Sequence, residues 1–588
     1  MEYPTLYVKQ KTRQMSDAFL GYNHNLRIGD SEFYDMKNMT SDHYPVLTPR
    51  KRRGVYGTTT SANGLIAKDS LCYVDGSVFV IGEDRVDMGL STKSADCPKS
   101  LISMGAYVII MPDRKYINTI KNGTQYEHGN IDATFTTTTD VTFTLCTVTG
   151  DAYENATVSA TAPKSPTNNQ LWIDTSATPH TLKKYSEANA MWVSVATTYI
   201  KVSATGIGKS FKQYDGVKLS GIKIKSLTDL NGAHALWDCG DDYLVITGIL
   251  DAVTTQTVAQ GKITVSRKMP VMDYIVESNN RLWGCRCGTN EDGEVVNEIY
   301  ACKQGDFKNW NCFMNLSTDS YAASCGTDGQ FTGAITHLGY PLFFKENCMH
   351  KVYGDYPANF QLQNTTCRGV QRGSHRSLAI VNETLFYKAR SGICAFDGSL
   401  PTEASYALGN QAYSDAVGGA HGNKYYVSMK DMNSAWHLFV YDTAKGMWHK
   451  EDNLHASAFC SCRSELYCID AGNRNIITML GSGEEDTGAV DWMVETGELG
   501  ISSPDMKYIS RLTVRMSMDL GAKADFYAQY DLSDEWVHVC TIRGTSLRSF
   551  SIPIRPRRCD HMKLRIVGEG MTKIYAITKT IEQGSDIS

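Results

Sequence analysis

Four runs constrain this chain more than any other feature: LFFK from Leu342, LFYK from Leu385, KYYV from Lys424 and ELYC from Glu465 begin about 40 residues apart. Each opens a unit that reads strand, tight polar bend, strand, as in PLFFKENCMHKVYGDYP (Pro341 to Pro357) and ELYCIDAGNRNIITMLG (Glu465 to Gly481). A period near 40 with about four short strands per unit is the spacing of β-propeller blades, each of which buries its faces against its neighbours. SLCYVDGSVFVIGEDRV (Ser70 to Val86) reads as an early blade, and NRLWGCRCGTNEDGEVVNEIYACKQGDFKNW (Asn280 to Trp310) as the blade before LFFK. No WD or kelch signature is present, so the count stays at about five to seven blades.

Helical periodicity is scarce and period-two alternation is frequent, so the chain reads as all-β. Two segments break the rhythm. Residues 131–265 shift to Thr, Ser and Ala (ATFTTTTDVTFTLCTVTG), a composition suited to exposed pleated strands and read here as an inserted β-domain. From about Val490 longer alternating strands such as RLTVRMSMDL and HMKLRIVGEG predict a terminal β-sandwich. The layout is an N-terminal arm and connector (1–55), first blades (56–130), the insertion (131–265), the remaining blades (266–489) and the sandwich (490–588).

With 588 residues, 58 Lys+Arg and 63 Asp+Glu, the formal net charge is −5, which supplies no global basic field for wrapping nucleic acid. The opening MEYPTLYVKQ has neither a basic n-region nor an apolar h-region, and no stretch approaches the roughly 20 apolar residues of a membrane helix. The reading is a protein made and kept in the cytoplasm until it is assembled. Its 17 cysteines, an odd number often inside apolar runs, read as small reduced core residues.

Chemistry-bearing patterns are sparse. Cys285 with Cys287, and Cys460 with Cys462, are spaced i, i+2, which puts each pair on one face of a strand. His455 and Cys468 would complete a zinc site around the second pair on paper. Glu291, Asp292 and Glu294 fall in a hairpin tip, where acids are solvated; His375 and Arg376 sit at a strand start. No carboxylate pair can be nominated for glycoside hydrolysis, and no nucleophile elbow, zincin or phosphate-loop motif appears. Neither a catalytic residue nor a cofactor nor a metal is therefore assigned, and the chain is read as a non-enzyme.

Two basic runs remain: Arg50, Lys51, Arg52 and Arg53, and Arg555, Arg557 and Arg558. Pro49 and Pro556 place them on rigid connectors, suited to acidic surfaces of a neighbouring subunit or to DNA phosphates. A third pattern, Tyr185 to Trp192, Tyr441 to Trp448 and Tyr530 to Trp536, reads as a hairpin whose aromatic packs back over the turn. Its alternative is a sugar-stacking platform formed by Trp192, Trp448 or Trp536.

The order of features resembles the tail nozzle or hub proteins of short-tailed bacteriophages, also called packaged-DNA stabilisation proteins. The resemblance rests on EFYDMKNMTSDHYPVLTPRKRRG (Glu32 to Gly54), NRLWGCR with EIYACKQGDFKNW, GAITHLGYPLFFKENCMHKVYGDYPANF (Gly333 to Phe360) with GICAFDG (Gly392 to Gly398), and IPIRPRRCDHMKLRIVGEG with KTIEQGSDIS. It does not cover the 131–265 insertion. It implies a structural virion protein that forms a homo-oligomeric ring, commonly a hexamer, below the head-to-tail adaptor. Such a ring retains packaged DNA, touches it transiently and non-specifically during ejection, and can carry tail fibres. The competing expectation is a carbohydrate-binding or glycan-degrading propeller for host recognition.

Overall fold

The computed structural model describes residues 11–57, 59–92, 99–482, 484–485, 489–501, 506–531 and 533–583. The first ten residues and the last five of KTIEQGSDIS lie outside them. Strands dominate, and the helices among the described residues are short 3-10 turns. None is long and apolar enough to cross a membrane.

The propeller is present. Consecutive four-stranded antiparallel meanders occupy 62–87, 100–130, 274–324, 333–366, 379–403 and 413–450, and will be called blades I to VI. Blade VII takes Ala456–Cys462, Glu465–Asp470 and Ile476–Thr478 from its own segment, then borrows Gly54–Val55 from near the N-terminus. Its fourth strand is thus supplied from more than 400 positions away, which periodicity along the chain does not report. In blade VI, Lys424–Asp431 shows why the strands form where they do. Tyr425, Val427 and Met429 point into one cluster with Phe439 and Trp448, whereas Tyr426 points into another with Leu438 and Leu466. A strand buried on both faces is what a blade between two neighbours requires.

The chain divides into two compact units, Met1–Leu101 with Phe343–Met349 and Asn364–Ser588, and Ile102–Leu342 with His350–Gln363. In the first, residues 11–55 are not a free arm. Lys11–Ser16 pairs with Thr572–Gln583, Phe33–Lys37 pairs with Asp491–Thr496, and Gly54–Val55 closes blade VII. Phe19, Tyr22, Phe33, Met36 and Met39 share one core with blade VI and the C-terminal strands.

The C-terminal region is all strand, as expected, and its strands are linked with both N-terminal strands in one eight-stranded hydrogen-bonded set. Its long strand, Lys507–Tyr530, changes partner midway. The first half lies against Thr572–Gln583 and the second against Met562–Glu569. The break is the exposed triplet Asp519-Leu520-Gly521, where Gly521 has φ +89° and the alternation of buried with less buried residues, already out of step at Ser510–Arg511, is interrupted. Leu512, Val514 and Met516 before it, and Ala524, Phe526 and Ala528 after it, enter the same core.

In the second unit, the Thr-rich segment forms a four-stranded sheet, a five-stranded sheet and a small four-stranded sheet spanning 157–194. The first two bury Phe143, Ile200, Val202, Val217, Leu219 and Leu244 between them. Blade III contains the 281–301 hairpin in register, Trp283 opposite Ala301 and Thr289 opposite Val295. The Gly-Asp turn that follows holds the insertion. Asn309 Nδ2 donates to Asp215 Oδ1 at 2.9 Å and to Asp306 Oδ2 at 2.5 Å, while the Gly216 amide donates to Asn309 Oδ1 at 2.9 Å. Asp215 is in turn ion-paired with buried Arg267. Gly216 lies so close to Asn311 that a Cβ would sit 2.4 Å from its carbonyl oxygen.

Candidate functional site

The first basic run is divided by the fold. Arg53 is enclosed, with Nη2 2.7 Å from Glu451 Oε2 and Nη1 2.7 Å from Asp452 Oδ2. Burial alone would lower its pKa, but Asp452 and Glu451 outweigh burial and raise it. Arg50 donates from Nε to Asn38 Oδ1 at 2.9 Å and lies within 3.6 Å of the same two carboxylates. Arg50 and Arg53 therefore fasten the N-terminal segment to the end of blade VI, and the expectation that they reach a neighbouring subunit or phosphate is corrected. Lys51 and Arg52 are exposed.

Beside this clamp lies a recess of about 610 Å³, between the Thr40–Asp42 and Arg50–Lys51 segments and the turns of blades VI and VII. Its carboxylates are all engaged. Asp42 faces Lys424 at 2.6 Å, Asp442 accepts from Ser41 Oγ at 2.5 Å and faces Lys445 at 3.2 Å, and Glu451 is held by Arg53. Glu465 accepts the amides of Leu466, Leu480 and Ser482. Burial raises the pKa values of Asp42 and Asp442. Lys424 outweighs it at Asp42 and the Ser41 hydroxyl and Lys445 outweigh it at Asp442, leaving both lowered. Asp42 and Asp442 are thus shifted in the direction opposite to that of a carboxyl kept protonated as a general acid.

The second basic run continues an unusual strand. Val537–Ile552 is sixteen residues long, pairs among the described residues only with Lys507–Tyr530, and is exposed along most of its length. From Trp536 to Cys559 the sequence contains Arg543, Arg548, Arg555, Arg557 and Arg558 and no acid. Arg543 stands opposite Lys523 in register, Arg548 covers the Phe550 ring at 4.5 Å, and Arg557 covers the Tyr530 ring at 5.5 Å. Arg555, Arg557 and Arg558 are exposed. None of these arginines has a carboxylate partner among the described residues.

Of the three tryptophans nominated for stacking, Trp448 is excluded. It is 2% exposed and donates from Nε1 to the Ala404 carbonyl at 2.8 Å, because it is the core-facing member of a cross-strand pair with Tyr441. Trp536 is partly covered by the Arg565 guanidinium at 4.0 Å. Trp192 is half-buried, paired across a hairpin with Tyr185.

The paper zinc site does not assemble. His455 stacks on Trp436 at 3.7 Å, and burial pushes the Cys460 thiol up to about 12, against the thiolate that zinc binds. Among the described residues no group of three or more His, Cys, Asp or Glu side chains is placed to hold a metal. The acids of the blade III hairpin tip are not merely solvated. Glu291 lies 2.9 Å from Arg114 of blade II, and Asp292 2.6 Å from Lys218 of the insertion. His375 is half-buried, and its desolvation, with neighbouring Arg376, pushes its pKa down to about 4.

No protein-family model and no curated protein matches the sequence. Solved structures that match include the exo-β-1,3-galactanase of Phanerochaete chrysosporium with galactose, at 7% identity, TM-score 0.20, covering 52% of this chain and 94% of that one. The extracellular domain of the putative hybrid two-component system BT4673 from B. thetaiotaomicron matches at 11% identity and TM-score 0.25, over 92% and 88%. Trypanosoma rangeli sialidase with sialic acid matches at 8% and 0.21, over 97% and 95%. At such identities and scores these matches carry no argument about this chain.

Proposed function

We propose that this chain is a non-catalytic structural subunit of a bacteriophage tail, assembling with copies of itself into a nozzle or hub ring. The ring sits below the head-to-tail adaptor, retains packaged DNA and conducts it at ejection. The observation that carries this reading is the strand Val537–Ile552: long, open on one edge among the described residues, free of acids, and carrying Arg543 and Arg548 with no carboxylate partner among those residues. An exposed edge of this length is a template for pairing with another chain, which lone proteins blunt or cover. Cyclic assembly repeats one such contact around a ring.

Further support comes from the resemblance of the blade and C-terminal motifs to that family, and from the net charge of −5, which keeps a conduit from holding the polyanion it must release.

Mass photometry and electron microscopy of the purified full chain test the reading. Rings with an open centre are expected, and the double substitution Arg543→Glu with Arg548→Glu should shift them to smaller species without lowering the thermal unfolding temperature. A wild-type chain that stays monomeric at high concentration refutes the proposal.

A further inference from the structure

The first half of the long strand Lys507–Tyr530 buries Leu512, Val514 and Met516 in the core, so Arg511, Thr513, Arg515 and Ser517 point the other way. Residues directly opposite one another in an antiparallel pair share a face. On Thr572–Gln583, Thr580 stands opposite Arg511 and Lys573 opposite Ser517. One strand further out, Arg13 of Lys11–Ser16 stands opposite Thr580. On the other side, Ser549 of Val537–Ile552 stands opposite Arg515. Four strands thus present one face on which Arg13, Arg511, Arg515 and Lys573 are exposed among hydroxyl side chains.

These four cations have no carboxylate partner among the described residues. Along the paired segments 11–16, 507–519, 545–552 and 572–583 the acids are Glu582, which Lys11 engages at 2.9 Å, and Asp519, which stands at the bend beyond Ser517. At a strand rise near 3.4 Å per residue, Arg511 and Arg515 lie roughly 13 Å apart, and Arg13, two strands away, lies about 10 Å from Arg511. The exposed large apolar residues Met15 and Leu547 sit on the two outer strands of this face and not at its centre. A protein partner is anchored by an apolar or aromatic centre, which this face lacks.

We propose that this face binds the phosphate backbone of double-stranded nucleic acid without reading its sequence. Guanidinium groups take phosphate oxygens in bidentate fashion, and the lysine and the Ser and Thr hydroxyls donate to the oxygens between them. A face four strands wide does not enter the major groove, which admits a helix or a two-stranded ribbon, so base edges stay out of reach. Four cations in a chain of net charge −5 make the contact weak and labile to salt. The face is distinct from the open edge of Val537–Ile552, and the inference rests on the ring reading only in naming packaged DNA as the occupant.

Fluorescence anisotropy of a short labelled DNA duplex of mixed sequence, titrated with the full-length chain at salt concentrations from roughly 50 to 200 mM, tests this. Binding is expected to weaken with salt at a log–log slope of about −3 to −4 for each chain in contact, the value for four phosphates at about −0.9 apiece. Arg511→Ser with Arg515→Ser, both exposed, should halve that slope and weaken binding roughly tenfold at the lowest salt. Arg555→Ser with Arg557→Ser, an equal loss of charge, should leave the slope unchanged. No binding by the parent at the lowest salt, an unchanged slope in the first variant, or equal losses in both variants overturns the proposal. Mass photometry of the same samples separates it from the ring: a monomer that binds DNA with this slope keeps the face and refutes the ring, and a ring that binds none does the reverse. A first variant that loses its ring while the parent binds no DNA makes the face a contact between copies, which also overturns the proposal.

Discussion

At the residue scale, charge and position diverge. Arg50 to Arg53 are four adjacent basic residues, yet two of them point inward because Glu451 and Asp452, about 400 positions away, wait at the end of blade VI. The acids Glu451 and Asp452 follow the Trp448 hairpin and give no sign in sequence of their partners. Buried histidines make a titration prediction. His449 is enclosed, and burial, with Lys424 next, pushes its pKa from 6.5 down to about 3, against smaller opposing effects of Asp442 and Asp42. The unfolded chain therefore binds its proton first, and stability present above pH 6.5 is lost as pH falls toward 3. The lowered carboxylates Asp42, Asp442 and Asp452 add their losses only below their ordinary value of 3.8. Urea unfolding of the full chain should thus show a lower midpoint at pH 5 than at pH 7, and His449→Gln should reduce that difference; an unchanged difference would discount His449.

At the element scale, hairpins were legible and their attachments were not. The 281–301 hairpin follows from two alternating runs around Asn290–Glu294, and its same-face cysteines follow from period two. What Trp310 introduces could not be read: it caps the Gly-Asp turn, and the preceding Asn309 becomes the peg on which the insertion hangs. Asn309→Ala leaves the Gly216 amide and a buried Asp215 oxygen short of partners, a loss of about 1–3 kcal/mol for each unsatisfied group. Hydrogen exchange should accelerate selectively in Gly216–Ser220, with blades V and VI unchanged. Likewise, the Tyr-to-Trp spacing predicted cross-strand pairs correctly at Tyr185–Trp192 and Tyr441–Trp448, but exposure differs between them. Trp448 faces a core shared with the N-terminal segment, and Trp192 lies on a small sheet with little to cover it.

For the whole molecule, the N-terminal segment decides how parts are joined. Residues 11–55 supply strands to the C-terminal sheet at Lys11–Ser16 and Phe33–Lys37 and to blade VII at Gly54–Val55. Deleting residues 1–55 should therefore destabilise both together. Limited proteolysis of the truncated chain should cut within 456–583 while leaving the 131–269 insertion intact, and equal resistance throughout would show the segment to be dispensable. By itself the sequence determined the strand-rich class, the blade rhythm and the interruption by a Thr-rich segment, because pleat alternation and turn chemistry are local. Only the tertiary structure decided which basic residues are consumed, which tryptophan is enclosed, and that one edge strand is left open among the described residues. Those outcomes depend on partners hundreds of positions away, whose approach is fixed by burial and charge pairing that no local pattern encodes.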